Sequence, residues 1–377
     1  SRGHPPCGSR ARTGRDDYAV SATVIRTRVE ADDPFADRRL LVLIASYRDG
    51  ELGRTVSNAL AQAAYPEHVR FAICHQYDDD TLGLLEPWSD DPRFSIDEVP
   101  FSESHGCCWA RARTFELHDD EPYVLQIDAH TRFAARWDVR YIEMLESLDS
   151  PKPVLTCYPP SFNIDEHGLE HYSLDGGIQR LVLDRLRYDL TTRQRTEVVE
   201  DASAPGPSTL LAAGQIFTRG SFCAEVPYDP EIYFAGEEIS LAARAYTSGY
   251  DLFYPNQNLI WHRYNHGERL HWQDNPDDQG GRHAVAVERL KTLLSNDGTG
   301  LGRFGLGAAR TLADFEAVAG IDFSQPGGVG GWSVSGRLDL DTSSIDFDEA
   351  YRAWVFAVFS DNEQELWRND ITDDEVL

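Results

Sequence analysis

The stretch Tyr123-Val124-Leu125-Gln126-Ile127-Asp128-Ala129-His130 is a run of β-forming residues that stops abruptly at an acid and an imidazole. Two residues apart on an extended segment, Asp128 and His130 point to the same side. At the carboxyl end of a strand in an open α/β sheet, that side is the edge where ligands bind. A carboxylate oxygen and an imidazole nitrogen there make half a site for a divalent cation. Taken alone, Asp-x-His is just as readily a turn or a helix cap.

Upstream, Leu40-Leu41-Val42-Leu43-Ile44-Ala45 reads as a strand buried on both faces, ending at Ser46-Tyr47-Arg48-Asp49. Leu52, Val56, Leu60 and Ala63 then recur at helical spacing until Tyr65-Pro66. Val69 to Cys74 is a second strand running out at Gln76, and Phe94 to Val99 a third. A helix opens behind Gly106 and carries Arg111 and Arg113. This order predicts an α/β fold with a mostly parallel sheet flanked by helices, in which Ser46, Gln76 and Asp128 line one edge. Such a crevice suits a nucleotide. No Gly-x-Gly-x-x-Gly follows the first strand and no P-loop occurs, so neither a dinucleotide fold nor a P-loop ATPase is supported.

Downstream, Trp137 to Leu148 is amphipathic and Val154 to Tyr158 strand-like. Residues 159–207 read as a polar, irregular insert with a hairpin signal around Asp189 to Thr196. Its interspersed Phe162, Tyr172 and Tyr188 suggest an acceptor-facing segment. The apolar pattern resumes over Leu210 to Phe217, and Phe234-Ala235-Gly236-Glu237-Glu238 leads into a helix from Ile239 to Ser248. Strands over Leu252 to Pro255 and Leu259 to Tyr264 complete the core. Three units are expected: a flexible arm over 1–36, a catalytic domain over 37–300, and a segment over 301–377 with a small β module at Trp332 to Leu340 and Tyr351 to Phe359.

At 377 residues and 41% hydrophobic content the chain can bury a sizeable core. A formal net charge of −28 argues against nucleic acid or an anionic membrane surface as partner. The six cysteines form no Cys-x-x-Cys pair, no stretch reaches the length of a membrane span, and the start lacks the apolar core of a signal peptide. A cytoplasmic location is the expectation that follows.

For the second half of the cation site, His262 is the first choice, standing after Leu259-Ile260-Trp261; His266, His271 and His283 are weaker rivals. A hydrogen-bonded histidine at a strand end is the plainer reading of His262 alone. Asp128, His130 and His262 together suit Mn2+ and tolerate Mg2+. Glu237 and Glu238 at a helix start are favoured by the helix dipole in any case, but behind Gly236 they could orient an acceptor hydroxyl.

Five of these segments, taken in order, resemble a known family. They are Leu43 to Asp49, Cys74 to Gln76, Gly106 to Arg111, Gln126 to Phe133 with Trp137-Asp138, and Phe234 to Glu238. The chain is similar there to the cytoplasmic protein-hydroxyproline α-N-acetylglucosaminyltransferases and, more distantly, to the polypeptide N-acetylgalactosaminyltransferases. The resemblance covers about residues 38 to 325, and it implies a GT-A fold, a UDP-sugar donor, most readily UDP-GlcNAc, and retention of anomeric configuration. It implies a protein or peptide acceptor: hydroxyproline, Ser or Thr. It also places Mn2+ on Asp128, His130 and His262. Ser46 and Asp49, with Tyr47 and Arg48 between them, are implied beside the uridine, Arg111 near the base or ribose, and Gln76 and Gln126 in the donor site. Arg263 and Tyr264 are implied at the diphosphate, and Glu237 and Glu238 toward the sugar and acceptor. Ala129 stands where the eukaryotic proteins usually carry Ser. A glycan or small-metabolite acceptor, or a catalytically silent binding protein, are the alternatives.

Overall fold

The computed structural model describes residues 37–326 apart from 175, 265–269 and 296–297. The expected amino-terminal arm, His266 and the carboxy-terminal β module lie outside the described residues.

The chain opens with β1 (Leu40–Tyr47), α1 (Leu52–Gln62) and β2 (Val69–Tyr77), then β3 (Phe94–Pro100), α2 (Cys107–Glu116) and β4 (Tyr123–Asp128). β1 is buried on both faces, as its unbroken apolar run requires. β1 pairs in parallel with β2 on one side and β4 on the other, and β3 extends the sheet beyond β2. α1 turns Leu52, Thr55, Val56 and Ala59 inward, while α2 packs against β1 and β2. Each fully buried Leu, Ile or Phe in this layer contributes about 1.5–3 kcal/mol.

Beyond β4 the chain forms β5 (Thr131–Phe133), α3 (Trp137–Glu146) and β6 (Pro153–Thr156). Residues 159–207 are more regular than their polarity suggests. They hold two hairpins, β7 (Phe162–Ile164) with β8 (Glu170–Tyr172) and β9 (Ile178–Leu186) with β10 (Thr192–Val199), before β11 (Gly206–Pro207). β12 (Gln215–Arg219) then inserts antiparallel between β4 and β6. α4 (Phe222–Glu225), α5 (Glu237–Thr247), β13 (Asp251–Tyr254), β14 (Ile260–His262), α6 (His271–Asp274), α7 (Pro276–Ser295) and α8 (Leu312–Ala319) follow. Among the described residues the main sheet has the order β11-β13-β6-β12-β4-β1-β2-β3.

α8 packs on α5, and Phe315, Ile321 and Phe323 are buried in the same core, so residues 312–323 continue the main body. α5 begins at Gly236, where φ is +95° and a Cβ would lie 2.2 Å from the Leu290 side chain of α7. The close approach that a glycine permits here is made by the fold itself.

Candidate functional site

The carboxyl ends of the central strands lie level. Ala45 stands opposite both Cys74 and Asp128, and Tyr47 opposite Gln76. The chain leaves β4 through Asp128-Ala129-His130 directly into β5, which pairs antiparallel with β14 so that His262 faces Thr131. The Arg263 N–H donates to the His130 carbonyl at 3.1 Å, and the His262 N–H to that of Pro160 at 2.9 Å. This short ribbon brings His262 back to the strand tip.

One carboxylate and two imidazoles converge there. His262 Nε2 lies 3.0 Å from Asp128 Oδ2 and 2.9 Å from His130 Nε2. The three ligand atoms lie within 4.8 Å of one another, so these groups could hold a metal ion. Asp49, buried, accepts the Glu51 N–H on one oxygen and lies 2.7 Å from His130 Nδ1 with the other. Protonated at Nδ1, His130 presents its Nε2 lone pair to the cluster, the arrangement of a metal-bound histidine backed by a carboxylate. A Cβ at Gly214 would stand 2.8 Å from Asp128 Oδ2, so only glycine leaves that oxygen its room. The mixed oxygen and nitrogen set fits a divalent cation with positions open for phosphate oxygens.

Burial works against charge on Asp128, but the Arg111 guanidinium and then His262 outweigh it and hold the carboxyl well below the usual range. His130 is lowered by burial and raised further by Asp49, for a net rise; burial and the neighbouring His130 lower His262. Arg111, buried, donates to Asp128 Oδ1 at 2.6 Å and pairs on its other side with the buried Glu237, in a line of acid, base and acid.

Glu238 lies apart from that line. Its Oε1 accepts the Ala213 N–H at 3.0 Å, and its Oε2 accepts from the Tyr158 hydroxyl at 2.8 Å and from Gln194 at 2.7 Å. Burial raises the carboxyl to about 7; the Ala213 and Tyr158 hydrogen bonds oppose this only in part.

The other expected residues divide. Ser46 Oγ is buried at the crevice without a hydrogen-bond partner among the described residues, and Gln76 donates to the Ser46 carbonyl at 3.0 Å. Asp49, expected beside a nucleoside, contacts His130. Tyr47 donates to Asp274 at 2.8 Å, and Arg48 pairs with Asp274 at 2.6 Å and Asp78 at 2.7 Å, which ties α6 to the end of β1. Gln126 is buried and donates to the Ala213 carbonyl and the Tyr228 hydroxyl, joining β4 to the loop before β12. Arg263 reaches Glu51 at 3.4 Å, and Tyr264 packs its ring on His262 while donating to the Pro159 carbonyl. His271 lies 2.7 Å from the Tyr233 hydroxyl, and His283 lies 3.7 Å from Asp189; neither joins the cluster. Gly214, Tyr158 and Gln194 were not expected from sequence. Only Gly214 carries a local signal, a glycine just before a strand facing the site.

Among the described residues no helix is long and apolar enough to cross a membrane. A family model described as Glycosyltransferase (GlcNAc) matches residues 91–325, more than half of the chain. No curated protein matches the chain in sequence. Among solved structures, GalNAc-T7 with UDP, GalNAc and Mn2+ is similar over 75% of this chain and 54% of its own, at 15% identity and a TM-score of 0.53. The chain therefore spans about half of that structure's length. S. aureus TarS is similar over 74% of this chain and 69% of its own, at 11% identity and a TM-score of 0.44. The mixed sheet with its flanking helices is the GT-A fold.

Proposed function

Because the chain belongs to the GlcNAc glycosyltransferase family, we propose that it moves GlcNAc from UDP-GlcNAc to a hydroxyl of a protein or peptide, with retention of configuration. Hydroxyproline, Ser and Thr are the acceptor side chains in view. The observation that carries this reading is the convergence of Asp128, His130 and His262 at the strand tips, with the buried Ser46 hydroxyl, without a hydrogen-bond partner among the described residues, one strand over. The GalNAc-T7 structure, whose fold this chain shares, contains UDP and Mn2+. The catalytic domain in this proposal spans residues 37–325.

Asp128, His130 and His262 would hold Mn2+ or Mg2+, which when bound takes up charge growing on the leaving diphosphate and orients it. Asp49 keeps His130 in the tautomer that cation needs. Arg111 keeps Asp128 ionised and takes its own orientation from Glu237. Ser46 and Gln76 offer polar groups to the nucleoside at the strand ends, and Arg263 stands where its guanidinium can exchange Glu51 for a phosphate. Glu238 faces the acceptor side. With retention, a leaving phosphate oxygen can take the acceptor proton, so Glu238 has to orient the hydroxyl more than to deprotonate it. Five free cysteines among the described residues support a reducing, cytoplasmic setting.

The test is UDP release from UDP-sugars with Mn2+, with and without peptides bearing hydroxyproline, Ser or Thr. UDP-GlcNAc should be turned over, a chelator should stop it, and one peptide class should accelerate it. Tight UDP binding with no release from any UDP-sugar would instead make the chain a silent binding protein.

A further inference from the structure

The insert carries a side chain onto Glu238. Gln194 of β10 donates to Glu238 Oε2 at 2.7 Å, and its same nitrogen faces the Leu211 carbonyl at 3.2 Å. The second contact fixes the amide orientation, because an oxygen placed there would oppose two acceptors. The strand register explains how Gln194 gets there. Arg193 pairs with Arg185 but Gln194 with Leu183, so Asp184 is left over and the hairpin bulges beside Gln194. A bulge of this kind re-aims the neighbouring side chains and is common next to active sites. The hairpin is anchored as well. Leu181, Leu186 and Leu190 are buried in the main core.

A carboxylate offers about four acceptor positions. On Glu238, Tyr158 and Gln194 take both on Oε2, and the Ala213 N–H takes one on Oε1. One position on Oε1 is left. The next residue along, Gly214, packs against Asp128 Oδ2, so the loop that holds Oε1 also borders the cation cluster.

We propose that Gln194 is a positioning residue for transfer, holding Glu238 by Oε2 so that the remaining position on Oε1 receives the acceptor hydroxyl. This rests on the glycosyl-transfer reading above. It makes the bulged hairpin part of the catalytic apparatus and not only an outer wall of an acceptor groove. The groups bearing on Glu238 from the elements around it are Tyr158, Tyr264, Glu237 and Arg111, with the Ala213 N–H. Gln194 and Tyr158 both favour the ionised carboxylate, so losing either one favours its protonated form.

UDP release from UDP-GlcNAc and Mn2+, with water as acceptor, is followed against pH in the full chain. Gln194→Leu should move the acid limb of kcat upward by about one pH unit and lower kcat at pH 7 by about fivefold, with KM for UDP-GlcNAc nearly unchanged. Tyr158→Phe removes the other donor to the same oxygen and should shift the limb in the same direction. Gln194→Glu keeps the shape but opposes the charge, so its shift should be the largest. Should Gln194→Leu melt at low temperature, the other two variants carry the comparison. Profiles that superpose on wild type, or a lost UDP-GlcNAc affinity with kcat intact, would overturn the positioning role alone. A wild-type chain that releases no UDP, with water or with any of the peptides, would overturn the transferase reading, and this role with it.

Discussion

Asp128 and Glu238 are two carboxylates served by one short loop, yet their surroundings drive them in opposite directions. The Ala213 N–H holds Glu238, and Gly214 makes room for Asp128. Asp128 has a buried guanidinium against it and is held well below the usual carboxylate range. Glu238 is raised by burial to about 7, and its neutral hydrogen-bond donors only partly offset that. Environments that push two acids apart in this way assign them different work. In the proposed transfer, Asp128 as a cation ligand has to be ionised, whereas Glu238 meeting a hydroxyl gains from a pKa near the working pH.

The comparison breaks most visibly on the Asp128 side. Asp128→Ala removes the carboxylate of the cluster and the partner of Arg111 on that side; turnover should fall on the order of 10³-fold or more. Wild-type UDP release in that variant would end the cation reading. Glu238→Gln should lower kcat by about 10²-fold while Mn2+-dependent UDP affinity stays near wild type. Equal losses in both would put Glu238 on the nucleotide side with Asp128. Asp49→Asn keeps the shape but replaces the carboxylate behind His130 with a neutral amide, which should cost about 10- to 100-fold in Mn2+ affinity, read by calorimetry. An unchanged affinity would make Asp49 a cap for Glu51 alone.

The same division marks what the sequence made legible. β1, β2 and β4 are readable because a strand covered on both faces needs an unbroken apolar run. His262 was legible for a related reason, since Leu259-Ile260-Trp261 announces a strand before it. Its partner β5 has three residues and announces nothing, so the ribbon that aims His262 could not be foreseen. Arg48 shows the limit of reading by motif. Its charge is met by Asp78, 30 residues away, and by Asp274, 226 residues away, and no local pattern encodes either partner. On the Glu238 side, nothing in the sequence pointed to Tyr158 or Gln194. Residues 159–207 looked irregular because their hairpins are half exposed and polar, and the bulge that turns Gln194 inward is a property of two strands together.

The smallest expected effect is also the one that reads the two acids without any substrate. Glu238 has an ordinary carboxyl value of 4.5 and about 7 in the folded chain. Between those values the folded state keeps a proton that the unfolded chain has released, so this group lowers stability as pH rises through the window. Asp128 has the opposite sign, because its depressed value adds stability that is present above the usual carboxylate range and lost on acidification. Melting temperatures of wild type and Glu238→Gln at pH 5 and pH 8, in the presence of a chelator, isolate the first effect. The difference between the two pH values cancels any fixed cost of the Gln amide facing the Tyr158 and Gln194 donors. Wild type should lose about 2–4 °C more than the variant on going from pH 5 to pH 8. If both lose the same amount, Glu238 is ionised across the whole range, as Asp128 is. The two acids would then share one role, with Gln194 and Tyr158 left to hold a second permanent charge beside the cation.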